Sequence, residues 1–220
     1  MPSKAKRAFL KNQEDLTELW NIHEQVAGEG PGRKHGVEVL NRATIIFVTA
    51  CWESYIEDLA TEAFDALLAG ASSATALPAK VRTLATKSIW DQKDASKVWD
   101  IADGGWRTLL AGHRKATLQH WLGTFNTPMT DQVNALYLEL VGLKNLSSNW
   151  AWAGMNSAKA EAKLDKFIKV RGDIAHRLTP GGVVHKGMGR DYLNHVTRIS
   201  ETCELAVRSH LVAHTGVPPW

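Results

Sequence analysis

The segment ATIIFVTACWESYIEDLA, Ala43 to Ala60, decides the architecture. It lies within a stretch from about Val37 to Ala69 whose apolar positions, Leu40, Ala43, Phe47, Ala50, Trp52, Ile56, Leu59, Ala63 and Leu67, recur at helical spacing. Between Ile45 and Trp52 the pattern is apolar almost all round, which marks the central helix of a bundle rather than a surface helix with one wet face. The most apolar window, Ala43 to Trp52, falls well short of the roughly 20 residues a membrane helix needs. Beyond it, Glu53, Glu57, Asp58, Glu62 and Asp65 place carboxylates on another side of the same helix.

Working outward, Ala5 to about Ala27 carries Leu16, Leu19, Trp20, His23 and Val26 at helical spacing, and GEGPGRKHG (Gly28 to Gly36) ends that helix. Downstream, GASSATAL (Gly70 to Leu77) reads as a loop, and Pro78 suits the first turn of a short helix through Trp90. From Asp91 to Pro128 the pattern is irregular, with Gly104, Gly105, Gly112 and Gly123 separating short helical pieces, and residues 71–124 read as a helical or irregular insertion. Helical spacing returns over Thr130 to Leu143, over Ser157 to Val170 with Ser157 as N-cap, and over Asp191 to Ala213. GGVVHK, Gly181 to Lys186, is the one strand candidate. The expectation is an all-α bundle, one domain over residues 1–220 with a core of about 37–69 and 125–213.

Composition narrows the function. With 220 residues, 44% hydrophobic and 22% charged, the chain can bury a full core without staples. Two cysteines, Cys51 and Cys203, are too few for a disulfide framework, and a cytoplasmic location is expected. The basic start, MPSKAKRAFLKNQEDL, is not followed by the apolar run and cleavage site of a secretion signal. Net charge is +3, but Lys163 to Arg198 holds eight Lys/Arg against three Asp, so a basic face is expected in the C-terminal third. GEGPGRKHG lacks the Gly-Lys-Ser/Thr of a nucleotide loop, HLVAH lacks the glutamate of a hydrolytic zinc helix, and no G-x-S-x-G elbow occurs. No metal or other cofactor is expected.

One constellation carries chemistry. LDKFIKVRGDIAHR, Leu164 to Arg177, places Arg171 and His176 with four residues between them at the end of a predicted helix. Arginine stays charged and matches phosphate geometry, while histidine titrates near neutrality and can move a proton. Four other pairs have similar spacing: Arg107/His113, Arg114/His120, Arg190/His195 and Arg208/His214. Context favours the first pair. With Trp52-Glu53-x-Tyr55-x-Glu57, with FNTPMTDQVNALYLELVGLKNLSSNWAW (Phe125 to Trp152) and with Ile174-Ala175 before the histidine, the chain resembles the RiboL-PSP-type branch of the HEPN superfamily and its R-x4-6-H signature. The resemblance covers about Ala43 to Ala69 and Phe125 to Leu211. Two positions depart from the superfamily pattern: Gly172 stands where Asn is common, and Arg177 where the branch often has glycine.

The resemblance implies a homodimeric, metal-independent endoribonuclease that cleaves RNA through its own 2′-OH, acting as a toxin or phage-defence effector. An antitoxin or defence-system protein is its implied partner. Arg171 and His176 are then catalytic, Glu53 orients the motif or is simply a solvated carboxylate, and Asp173 supports the site or serves as a helix N-cap. Arg177 and Arg190 are candidates for RNA binding. The alternative is a non-catalytic helical dimer that binds RNA or a protein through the same groove. On one continuous helix five residues turn a side chain by about 140°, so either a break near Gly172 or a second protomer must bring Arg171 and His176 together.

Overall fold

The computed structural model describes residues 1–28, 36–91, 94–125, 127–177 and 184–220, without the side chains of 88, 95, 122–124 and 177. Its helices are α1 (Lys4–Ala27), α2 (Glu38–Gly70), α3 (Ala79–Asp91), α4 (Gly105–Thr124), α5 (Thr130–Val141), α6 (Ser157–Arg177) and α7 (Lys186–Thr215). Short 3₁₀ turns occupy Ala74–Ala76, Ala95–Ile101 and Leu146–Asn149. No strand occurs among the described residues, whose only β pairing is an isolated bridge between Trp152 and Met155. The all-α expectation therefore holds. GGVVHK does not supply a strand where it is described: Val184 and His185 lead into α7, and residues 181–183 lie outside the described part.

α2 is the axis. It packs against α1, α4, α5, α6 and α7, and buries Ile45, Val48, Trp52, Ile56, Leu59 and Ala63 completely. The Trp52 indole N–H donates to the Pro128 carbonyl at 3.1 Å, and its ring meets Trp150 edge-on at 6.0 Å. Tyr55 and Tyr137 donate to the carbonyls of Ser200 and Ile56, so the polar tips of the large core aromatics are satisfied inside the bundle. Gly189 lets α7 lie close to α2, because a Cβ there would fall 2.5 Å from Thr44 Cγ2. At the end of α5, Gly142 combines a left-handed φ of 74° with Pro78 only 2.3 Å from any added Cβ.

Several local expectations are corrected. α4 is one helix of 20 residues, with Gly105, Gly112 and Gly123 inside it; burial of Leu110 and partial burial of Trp106, Leu109 and Trp121 outweigh the helix penalty of the glycines. Asn156, not Ser157, caps α6, its Oδ1 accepting from the Lys159 amide at 2.9 Å. Phe47 and Ala50 do not face the core. Phe47 is 48% exposed, and with Val39 and Ile46 it forms an apolar stripe on α2.

The N-terminus of α1 is clasped from two sides. Glu62 of α2 accepts from the amides of Lys4 and Ala5, and Glu204 of α7 accepts from the Ser3 amide and hydroxyl. These carboxylates satisfy otherwise orphaned amides and sit at the positive end of the helix dipole.

Four histidines act as cross-links through ring nitrogens: His113 to the Glu139 carbonyl, His195 to Ala160, His210 to Val141 and His214 to Ala76. His195 is 3% exposed and lies beside Trp152 and Phe167. Burial pushes its pKa below the ordinary 6.5, so its stabilising contribution is complete above about pH 6.5 and is lost as pH falls below that value. His195→Ala is expected to cost about 1–3 kcal/mol at pH 7.5, or roughly 2–4 °C in melting temperature per kcal/mol. Calorimetry at pH 7.5 and 5.5 checks both size and sign: the deficit against wild type should narrow at the lower pH.

Candidate active site

α6 carries the motif. Ala160, Leu164, Phe167, Ile168 and Ile174 make its buried face, and the helix runs unbroken through Gly172 to Arg177. A break at Gly172 is thereby excluded. Arg171 and His176 are about 7.5 Å apart along the axis and about 140° apart around it. Asp173 lies inside the helix, so it is not an N-cap.

Arg171 is half-buried on the flank facing α2 and α7, close enough to Glu53 and Tyr192 to influence both. Burial pushes the Glu53 carboxyl above its ordinary range, and the Arg171 guanidinium partly opposes that rise. Beneath them, the Phe167 and Tyr192 rings stack at 4.3 Å, and the Tyr192 hydroxyl meets Thr49 Oγ1 at 3.1 Å. The structure thus brings together Arg171 and Glu53, from helices more than 100 residues apart. His176 is exposed, its side chain makes no hydrogen bond to another described residue, and it lies one turn beyond the exposed Asp173. The Arg177 side chain is outside the described part. Arg190 lies over the Trp20 ring at 5.4 Å and pairs with Glu24 at 3.4 Å, so its charge is already partnered.

A cleft of about 320 Å³ opens between α6 and the start of α7, lined by Lys163, Lys166, Phe167, Val170, His185 and Met188. Sequence reading missed Lys163, Lys166 and His185. The first two were visible as a repeat with Val170 at i, i+3 and i+7 on the motif helix, whereas His185 depends on where α7 begins.

The other four Arg–His pairs are committed elsewhere. Arg107 donates to the Leu68 and Ala71 carbonyls at the end of α2, and Arg114 pairs with Asp65 at 2.8 Å. His113, His195 and His214 are the cross-links already described. The rings of His210 and His214 pack edge-on at 4.8 Å, each held by a carbonyl. No cluster of three or more His, Cys, Asp or Glu placed to hold a metal occurs among the described residues.

The model of the family RiboL-PSP-HEPN matches residues 8–205. The chain belongs to this family. The match begins within α1 and ends within α7, extending beyond the two stretches that carry the resemblance in the sequence. No curated protein and no solved structure matches the chain. Membership carries an RNA-related or RNase-like function and agrees with the helical fold. No helix among the described residues is long and apolar enough to cross a membrane.

Glu57, one turn beyond Glu53, is pushed up to about 7 by burial and by the neighbouring Glu53 and Asp58. Its folded pKa lies above the unfolded 4.5, so its ionisation opposes folding, fully above pH 7 and progressively less as pH falls toward 4.5. Glu57→Gln should therefore melt above wild type at pH 8 and at the same temperature at pH 4.5. Thermal melts at the two values provide the check.

Proposed function

We propose that this RiboL-PSP-HEPN protein is an endoribonuclease whose active site combines Arg171 and His176 from two copies of the chain. One observation carries the reading. In the other four Arg–His pairs a carbonyl holds the histidine (His113, His195, His214) or Asp65 holds the arginine (Arg114), whereas Arg171 is half-buried within electrostatic reach of Glu53 and His176 is exposed about one turn and a half further along α6.

The chemistry needs few parts. The substrate 2′-oxygen attacks the adjacent phosphorus, the bond from phosphorus to the 5′-oxygen breaks, and the products are a 2′,3′-cyclic phosphate and a 5′-hydroxyl. His176 moves one proton overall, from the 2′-hydroxyl as its oxygen attacks to the leaving 5′-oxygen. Arg171 stabilises the charge that builds on the phosphoryl oxygens, and Glu53 positions its guanidinium. Asp173 supports His176 from the preceding turn. Lys166 and Arg177 hold flanking phosphates, joined by Lys163 and Arg190 where phosphate displaces Asp191 and Glu24. The mechanism calls on no metal, and the protein works as a toxin or phage-defence effector in the cytoplasm.

Continuity of α6 supports a site that draws on a second copy. The 140° between Arg171 and His176 prevents both from facing one phosphate within a protomer. The stripe of Val39, Ile46, Phe47 and Ala50 lies on the same helix as Glu53 and offers the apolar contact for a two-fold partner. Without catalysis, the same face would serve a helical dimer that only binds RNA.

His176→Ala should reduce cleavage of total RNA about 10²- to 10⁴-fold at unchanged melting temperature, with wild-type activity insensitive to EDTA. Full activity in the variant, or loss on chelation, would falsify the mechanism. Phe47→Asp should convert a species of twice 24.3 kDa into one of 24.3 kDa by light scattering and abolish cleavage together with it. A wild-type protein that is monomeric and active would remove the composite site.

A further inference from the structure

The motif does not use the two most exposed tryptophans. Trp90, at the end of α3, is 70% exposed, and Trp99, in the adjoining 3₁₀ turn, is 80% exposed. The other seven are buried or half-buried. Among them, Trp150 belongs to the core and Trp152 to its edge. Leaving two large indoles in water is costly for a monomer and is characteristic of a binding surface.

Their surroundings identify the ligand. Residues 71–124 contain eight Lys/Arg against four Asp and no Glu. Apart from this segment and the basic stretch Lys163 to Arg198, the chain has ten Lys/Arg against sixteen Asp/Glu. Positive charge is therefore concentrated in the motif region and in the segment bearing the exposed indoles. On α3, Lys80, Lys87 and Trp90 are exposed and stand at i, i+7 and i+10, on one side of the helix. Lys97 stands two residues before Trp99, exposed and paired with the still more exposed Asp100.

Between α3, the 3₁₀ turn and α4 lies a cleft of about 540 Å³, with Leu84, Ile89, Ile101 and Leu109 in its walls beside Lys97. An apolar cleft beside indoles and lysines suits a planar, uncharged base attached to a charged backbone. A protein-binding core would be depleted in lysine, not enriched.

We propose that this surface holds single-stranded RNA, with Trp90 and Trp99 stacking on bases and Lys80, Lys87 and Lys97 meeting phosphates. It is separate from the motif: Arg114 of α4 pairs with Asp65, which lies about 18 Å along α2 from Glu53. The strand is anchored at one place and cut at another, and a duplex, whose bases are already stacked, binds less well. The proposal rests on the reading of the protein as RNA-directed.

The test measures binding, not cleavage, so the two readings can fail separately. Fluorescence anisotropy follows a labelled single-stranded RNA of about 12 nucleotides bound by His176→Ala protein, which leaves the probe intact. In that background Trp90→Ala and Trp99→Ala should each raise Kd about 5- to 100-fold, with Phe at either position restoring part of the loss. Lys97→Ala should lower the salt slope by about 0.7. Both indoles are solvent-exposed, so the variants should fold, which circular dichroism verifies. RNA affinity unchanged in both tryptophan variants overturns the proposal and leaves a protein-docking patch, as does a matched RNA duplex binding as tightly as the single strand.

Discussion

Everything in this bundle depends on burying α2 along most of its circumference. Such a helix cannot lie on a surface, so neighbours must be packed around it and their polar groups must be satisfied without water. Trp52 illustrates the constraint: its ring is fully enclosed, its N–H reaches the Pro128 carbonyl, and its edge contact with Trp150 ties the segment before α6 to the axis. The close passage of α7 at Gly189 belongs to the same requirement. The side of α2 left open is apolar from Val39 to Ala50, whereas further along it carries the polar Ser54, Asp58 and Asp65.

The motif inherits its geometry from that axis. α6 is held by its buried face, and its Asp165 accepts from the amide and hydroxyl of Thr130 at the start of α5, both at 2.9 Å. Arg171 therefore approaches Glu53 at a height set by helix packing, not by a loop. His113, His195 and His210 are each held by a carbonyl and pushed down by burial, whereas His176 is exposed at the end of α6.

The elements legible in the sequence were those with strong periodicity. α2, α5 and the apolar faces of α6 and α7 were readable because each residue's neighbours at i+3 and i+4 told the same story. α4 was not, since its glycines argue against a helix locally while the packing that overrides them comes from α2, α3, α5 and the 3₁₀ turn Ala95–Ile101. Phe47 and Ala50 fit the apolar pattern of α2 equally well facing in or out, and no local rule separates the cases. The spacing of Arg171 and His176 was visible, but their facing different ways rests on α6 passing straight through Gly172. The partners of Arg190 were hidden because Glu24 and Trp20 lie some 170 residues upstream.

With an unbroken α6, the proposed two-copy site has a consequence for dosage. A site shared by two copies exists only in the fraction of protein that has paired. Well below the dissociation constant of the pair, that fraction itself rises with concentration, so total activity grows as the square of the amount of protein. Doubling synthesis then quadruples output. Under the proposed shared site, a helix that keeps two side chains apart would make the protein quiet when scarce and abruptly effective once it accumulates.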